Sequence, residues 1–514
     1  MSLYQTNFTG LDWGIVFVYL ICSIGIGLWA NRYVGNLSDY LVAGRTLRIR
    51  LALATMTGTE LGLVTVMYMA ELGFGQQYAC LYLALLEAGS LLVIGWTGLV
   101  VYRLRQSAVL TIPEYYNVRY SRGVRVVGGC MMVISGVLNM GLFLKAGSQF
   151  LTAITGLQDA LYLKAIMTGL LLLVLFYTVL GGMVSVVITD LIQFLVLGVG
   201  ILIVTVFVFA DVGFDGFAAV VTTHQGYFDP TSAVNPSGRG KSDPIGLLKI
   251  VEMAVIIATA SMLWPPGASR TLSVKTPETA QRLFLFSSVA LLARRAFPIL
   301  WGIGAYFFFV THGPLEEQFM ALVENKELNK WSAMPLYLAK IIPTGLLGLI
   351  TAGMVAAFMS THDSYLLCWS GVITQDIVAP VFGPLSQRQR ILLTRVSIVV
   401  IGGVLLIWGL WYEISSNLWN YMAVTGTVYL AGALPVVVGG LYWKGASSAG
   451  AYCALLGGLL GVCAMGPILE PIQARIPDVQ GAHITLLTFA ISLIGFVAGS
   501  LLFPDKPMPA ETPR

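Results

Sequence analysis

Charge is what this sequence has least of. Only 11% of its 514 residues are Asp, Glu, Lys or Arg, while 57% are hydrophobic. Soluble proteins carry about 25% charged residues. So few charges cannot cover a water-facing surface, which excludes a cytosolic enzyme, a secreted domain and a disordered chain. The net charge of +4 is small and the basic residues are not massed in one patch, so nucleic-acid binding is not expected. Cysteine is scarce as well. The six Cys (Cys22, Cys80, Cys130, Cys368, Cys453 and Cys463) lie in or beside apolar runs without a C-x-x-C pair, and read as small buried hydrophobes. The start, MSLYQTNFTGLDW, lacks the positive region of a cleaved signal peptide, so the first apolar run is expected to be retained. No H-E-x-x-H helix, nucleophile elbow or paired catalytic constellation occurs in the apolar runs, so an enzyme is not expected.

What is present is a series of apolar runs long enough to span a bilayer, each needing about 20 residues. Roughly thirteen occur, near 11–31, 51–72, 78–102, 126–154, 161–183, 185–211, 246–266, 283–311, 344–376, 391–413, 417–441, 447–467 and 483–503. Their length and lack of alternation predict helices, because backbone groups in lipid must be paired internally. Lys and Arg concentrate in alternate gaps: Arg32, Arg45, Arg48 and Arg50; Arg103, Arg105, Arg119, Arg122 and Arg125; Arg270, Lys275 and Arg282; Arg388 and Arg390. The positive-inside rule then predicts an N-terminus outside and a cytoplasmic C-terminal tail, 505–514, after a single transmembrane unit, 1–504. The gap 213–245 reads as an external loop.

Two spans look interrupted. The second centres on Thr57-Gly58-Thr59-Glu60-Leu61-Gly62, and the seventh carries Thr259, Ser261, Pro265, Pro266 and Gly267. They lie five spans apart and start on opposite sides, so the units about 51–211 and 246–441 would be inverted repeats. Paired interrupted helices in such repeats mark transporter binding sites, because an unwound turn frees carbonyl and N–H groups to hold ions and polar solutes. A plain kink or a small-residue packing seam is the competing explanation. A second polar cluster lies in the ninth span, where Ser360, Thr361, Asp363 and Ser364 crowd about one turn. Hydroxyls and freed carbonyls suit a hard cation such as sodium. His362 has no second His or Cys at ligand spacing and is expected to pack or line.

Several segments, in order, resemble the sodium:solute symporter family: Tyr40-Leu41-Val42-Ala43-Gly44-Arg45, Thr111-Ile112-Pro113-Glu114-Tyr115, Gly181-Gly182-Met183 followed by Thr189-Asp190-Leu191-Ile192-Gln193, Ser269-Arg270-Thr271-Leu272-Ser273-Val274-Lys275, Ala357-Phe358-Met359-Ser360-Thr361 with Asp363-Ser364, and Trp443-Lys444-Gly445-Ala446. The resemblance implies an all-α LeuT-like fold of two inverted five-helix repeats, with sodium as coupling ion and no other cofactor. It implies sodium ligands at the carbonyls of Gly58, Leu61 and Ala357 and the hydroxyls of Ser360 and Thr361. Asp190, Asp363 and Ser364 match a second sodium or exit position.

The remaining intramembrane charges are functional candidates by default: Glu60, Glu87, Lys145, Glu252, Arg294 and Arg295. With Thr65, Ser90 and Ser261, the set Glu60, Glu87, Lys145 and Arg295 forms the expected solute site. Two readings stand side by side. Lys145 or an arginine meets an anionic solute, such as a carboxylate or sugar acid; or the charges form internal salt bridges. Where sugar-transporting relatives carry an aromatic pair, this chain has Ala260 and Ser261, which weakens a sugar reading. The expectation is a sodium-coupled symporter importing a small polar organic solute by alternating access in a bacterial inner membrane. The alternatives are a symporter for a neutral sugar or amino acid, and a transporter-like sensor working with a separate partner.

Overall fold

The computed structural model describes residues 3–30, 43–157, 159–223, 246–311, 313–325, 328–383, 385–411 and 418–505. Arg32, the first three residues of the Tyr40–Arg45 motif, residues 224–245 of the expected external loop 213–245 and the tail from 506 lie outside them; the start of that loop is helical instead, continuing to Thr223 past a turn at Gly213.

In their described residues, all thirteen apolar runs are largely helical. The helices have large side chains on their outer faces, including Trp96, Leu161 and Phe214. Such surfaces are stable only against lipid. The interior is occupied by the nearly fully buried helix Leu346–Val372 and by Leu418–Tyr442, which is largely buried as far as Val437. The long segment Ala160–Thr223 packs on Leu346–Val372, the two interrupted spans pack on both interior helices, and the helix Pro277–Thr311 lies outside them against Leu63–Gln76 and Tyr82–Thr97. Gly182, at φ +57°, turns the chain within Ala160–Thr223 and separates the spans Leu161–Leu180 and Val186–Val220. Glycines also set the tightest helix approach. A Cβ on Gly73 would collide with the Ile299 carbonyl, and one on Gly302 with the Ala70 carbonyl.

The expected count of thirteen spans is not reached. Among the described residues ten helices are long and apolar enough to cross a membrane, or eleven if the pair Ser448–Ala464 and Gly466–Arg475, bent by 77°, is one span. The first run falls short, with an apolar stretch of only Gly10–Ile26. The second run divides into two short helices, and its second half forms one long apolar unit with the third, Leu63–Thr97.

Candidate functional site

Both interruptions fall where the polar residues cluster. The first broken helix runs Ile49–Glu60, opens at Leu61 (ψ 56°) and Gly62 (ψ 152°), and resumes as Leu63–Gln76. The second runs Leu247–Leu263, opens at Trp264 (ψ 122°), and resumes as Pro265–Ser273 with proline at its first position. A helix end leaves its last four carbonyls without intrahelical partners. In the first broken helix, side chains reach three of them. Ser360 Oγ donates to the Gly58 carbonyl at 2.9 Å, and Thr361 Oγ1 to the Thr59 carbonyl at 3.2 Å. Arg294 donates to the Glu60 carbonyl. The same two hydroxyls lie 3.3 and 3.0 Å from the Ala357 carbonyl. Three carbonyls and two hydroxyls thus converge at the negative end of a half-helix. Such a neutral oxygen cluster fits a monovalent hard cation. Of the expected ligands, Gly58, Ala357, Ser360 and Thr361 are brought together; Leu61 occupies the opened turn, its N–H donating to the Thr57 carbonyl at 2.8 Å.

Behind this cluster the structure corrects one reading of charge. Arg270, counted above with the inner-face arginines, is 0% exposed. The resumed half-helix Pro265–Ser273 carries it back among the spans. Its Nη2 donates to Thr59 Oγ1 and Ser364 Oγ, both at 2.6 Å, and lies 3.3 Å from Asp190 Oδ2. Asp190 also accepts from Thr55 Oγ1 at 2.5 Å and Thr59 Oγ1 at 3.2 Å. Ser364 lies 3.2 Å from Asp363 Oδ1, and Tyr177 donates to Asp363 Oδ2 at 3.1 Å. Asp190, Asp363 and Ser364 therefore do meet in space, with a guanidinium already between Asp190 and Ser364. His362 is buried, its Nδ1 2.8 Å from the Phe358 carbonyl and its ring 3.9 Å from that of Phe358.

Next to the oxygen cluster is a cavity of about 120 Å³, room on the order of ten waters. Thr59, Glu60 and Thr361 line it, so the cavity and the oxygen cluster share a wall. Its charges are paired. Arg294 binds Glu60 at 2.7 Å and Glu87 at 2.6 Å, and Arg295 binds Glu87 at 2.6 Å. Arg295 also lies over the ring of Trp419, 4.9 Å from its centre. The internal salt-bridge reading is the one realised for these four residues.

Thr65 and Ser261 line the cavity, although Ser261 donates back to the Ile257 carbonyl at 2.8 Å. Ser90 and Lys145 are half-buried and are not among the lining residues. Glu252 pairs with Lys249 at 2.6 Å, also away from the cavity. Sequence reasoning missed the aromatic wall of Tyr68, Phe143, Trp264, Tyr365 and Trp419, together with Asn139. Trp264 Nε1 donates to the Tyr365 hydroxyl at 2.7 Å. The aromatic group absent at Ala260 and Ser261 is thus supplied one turn later, and the proline pair after Trp264 was the available signal.

A helix-break oxygen cluster sharing a wall with an aromatic cavity that holds a few polar groups, within an all-helical multi-pass chain, defines a LeuT-like secondary transporter. The model of the sodium:solute symporter family matches residues 40–461, and the chain belongs to that family. It is 24% identical over 538 residues to the sodium/glucose cotransporter of Vibrio parahaemolyticus, covering 98% of this chain and 93% of the relative. It is 24% identical over 558 residues to sodium/glucose cotransporter 1 of Oryctolagus cuniculus, covering 99% and 81%. Among solved structures, a Na+-coupled sialic acid symporter in a substrate-bound outward-open state shares the fold. Its TM-score is 0.76 at 18% identity, covering 97% of this chain and 100% of that one. The protein is therefore a sodium-coupled symporter of the cell membrane rather than an enzyme.

Proposed function

We propose that the protein imports a small, uncharged, polyhydroxylated solute of the sugar class, driven by one sodium bound at Gly58, Ala357, Ser360 and Thr361. The observation that carries this reading is the wall shared by ion and solute: Thr59 and Thr361 belong to the oxygen cluster and line the cavity. A sodium ion there would order the groups that the solute touches, which is the physical basis of a coupling free energy between two sites.

The solute class follows from the lining. Two carboxylates and two guanidiniums neutralise one another, so the lining offers an anion no net positive charge. This weighs against the carboxylate or sugar acid. Among the described residues, Asn139 Oδ1 and Arg294 Nε are buried without hydrogen-bond partners. They are an acceptor and a donor, and a hydroxyl group answers both. Aromatic faces suit the C–H face of a sugar ring. The N-terminus would lie outside and the tail inside.

Purified protein in liposomes, given an inward sodium gradient and a panel of sugars, sugar acids and amino acids, tests the reading. Accumulation of a neutral sugar, outcompeting sugar acids and amino acids, is expected. Accumulation of sugar acids alone would overturn the solute class, and accumulation without sodium would overturn the coupling.

A further inference from the structure

A second cavity, polar and of about 350 Å³, lies at one end of the bundle, away from the ion and solute sites. Arg122, Arg125 and Arg390 line it together with Asn117, Gln375 and Glu114. The cavity is built where the helix carrying Ser360 and Thr361 ends. That helix passes after Val372 into a single π-helical turn, Ile373–Val378, which presents Gln375 and Asp376. Such turns interrupt the regular ladder and recur at functional sites.

The polar contacts leave a donor-rich surface. Arg125 Nε binds Asp376 Oδ1 at 2.8 Å, and its Nη2 donates to the Gln375 carbonyl at 3.0 Å. Arg390 Nη1 donates to Gln375 Oε1 at 2.6 Å. Gln375 is only 5% exposed. Its Nε2 is buried without a hydrogen-bond partner among the described residues. The one carboxylate in the lining, Glu114, is engaged locally by the N–H of Leu110. Arg122 is exposed at the first turn of its helix. A group with several acceptor oxygens and negative charge satisfies this set. Arginines at fixed spacing recognise phosphate in that way.

The surroundings select the source. Beside the lining residues stand exposed apolar side chains: Val118, Val381, Phe382 and Leu392, at 58%, 55%, 79% and 63%. They suit acyl chains, not water. The two gaps that form the cavity, 103–125 and 377–390, are the arginine-bearing ones that the positive-inside rule assigns to the cytoplasm, where anionic lipids attract basic clusters. We propose that this cavity binds a phosphate-bearing anion, the headgroup of an anionic phospholipid, at the end of the helix that also holds the sodium hydroxyls.

The test is thermal unfolding of the full-length protein in detergent micelles, titrated with phosphatidylglycerol, with phosphatidylcholine of the same chains, and with inorganic phosphate at constant ionic strength. Phosphatidylglycerol is expected to raise the unfolding midpoint saturably and phosphatidylcholine to leave it unchanged. The double variant R122Q/R390Q should weaken the response at least about ten-fold, since each lost charge-assisted hydrogen bond to the headgroup is worth about ten-fold. R388Q, an exposed arginine outside the cavity, should respond as the parent does. If the double variant fails to fold, R122Q alone, altered at an exposed position, should still weaken the response several-fold. A full response to inorganic phosphate, with nothing added by the lipid, would support the anion site and assign it to free phosphate. No response to either, or an equal loss in R388Q, would overturn the proposal.

Discussion

Ser360 Oγ, on the helix Leu346–Val372, lies 2.9 Å from the carbonyl of Gly58, the third-last residue of the half-helix Ile49–Glu60. One short bond thus joins two core helices that come from different halves of the sequence. In the proposed mechanism a sodium ion sits between these atoms, and the hydroxyl turns its lone pairs to the ion. Ser360→Ala or Thr361→Ala should raise the half-saturating sodium concentration about ten-fold, as expected for losing a contact worth about 1–1.5 kcal/mol. Thr361→Ser keeps the hydroxyl and should stay near the parent. Sodium titration of solute uptake measures all three.

Gly62 has an ordinary backbone (φ −74°, ψ 152°), so any residue could adopt its conformation. What forbids a side chain is space, since a Cβ there would overlap Thr361 Oγ1. Gly62→Ala should therefore abolish sodium-driven uptake while the protein still reaches the membrane in normal amount. Uptake normalised to protein abundance checks this, and normal transport by the variant would show that the gap is not needed.

Glu87 holds both Arg294 and Arg295. Replacing one partner of a buried ion pair costs about 3–5 kcal/mol, much of it from the charge left behind. Glu87→Gln should lower the unfolding midpoint strongly, and adding Arg295→Gln should restore part of the loss. A double-mutant cycle by thermal unfolding reads the coupling directly. Additive losses would mean that the two side chains do not act as a pair.

Arg270 and Asp190 allow the same logic beside the ion site. Asp190→Asn leaves the buried guanidinium with hydroxyls alone and should reduce both stability and uptake. The combination with Arg270→Gln should recover stability but not sodium-driven uptake, because Thr59 and Ser364 lose the donor that orients them. Recovery of full uptake would assign the pair a purely structural role.

The sequence made some of this legible and hid the rest for identifiable reasons. The polar stretch Thr57–Gly62 inside an apolar run announced the first break, and the hydroxyls of Ser360 and Thr361 announced its partner. Both signals are local and differ sharply from their surroundings. Arg270 was hidden because a basic residue just past an apolar run looks like an inner-face marker; only the resumed half-helix after Trp264 shows that it is still among the spans. The pairing of Glu60, Arg294, Glu87 and Arg295 was stated only as one of two outcomes, since it depends on which helices touch. Ser90 shares a helix face with Glu87 by its i,i+3 spacing, but it is the apolar Leu91, at i+4, that lines the cavity, and the sequence does not distinguish the two. Tyr68, Trp264 and Trp419 passed unnoticed because an aromatic residue in an apolar run is indistinguishable from core packing.

The central claim is that sodium bound between Gly58, Ala357, Ser360 and Thr361 drives solute uptake. The most direct test is accumulation of the identified solute by proteoliposomes under an inward sodium gradient, against an equal potassium gradient, in the parent and in the S360A/T361A double variant. Concentrative uptake is expected only with sodium, and the double variant should need far more sodium than the parent to respond. Equal accumulation with potassium, or an unchanged sodium dependence in the double variant, would contradict it.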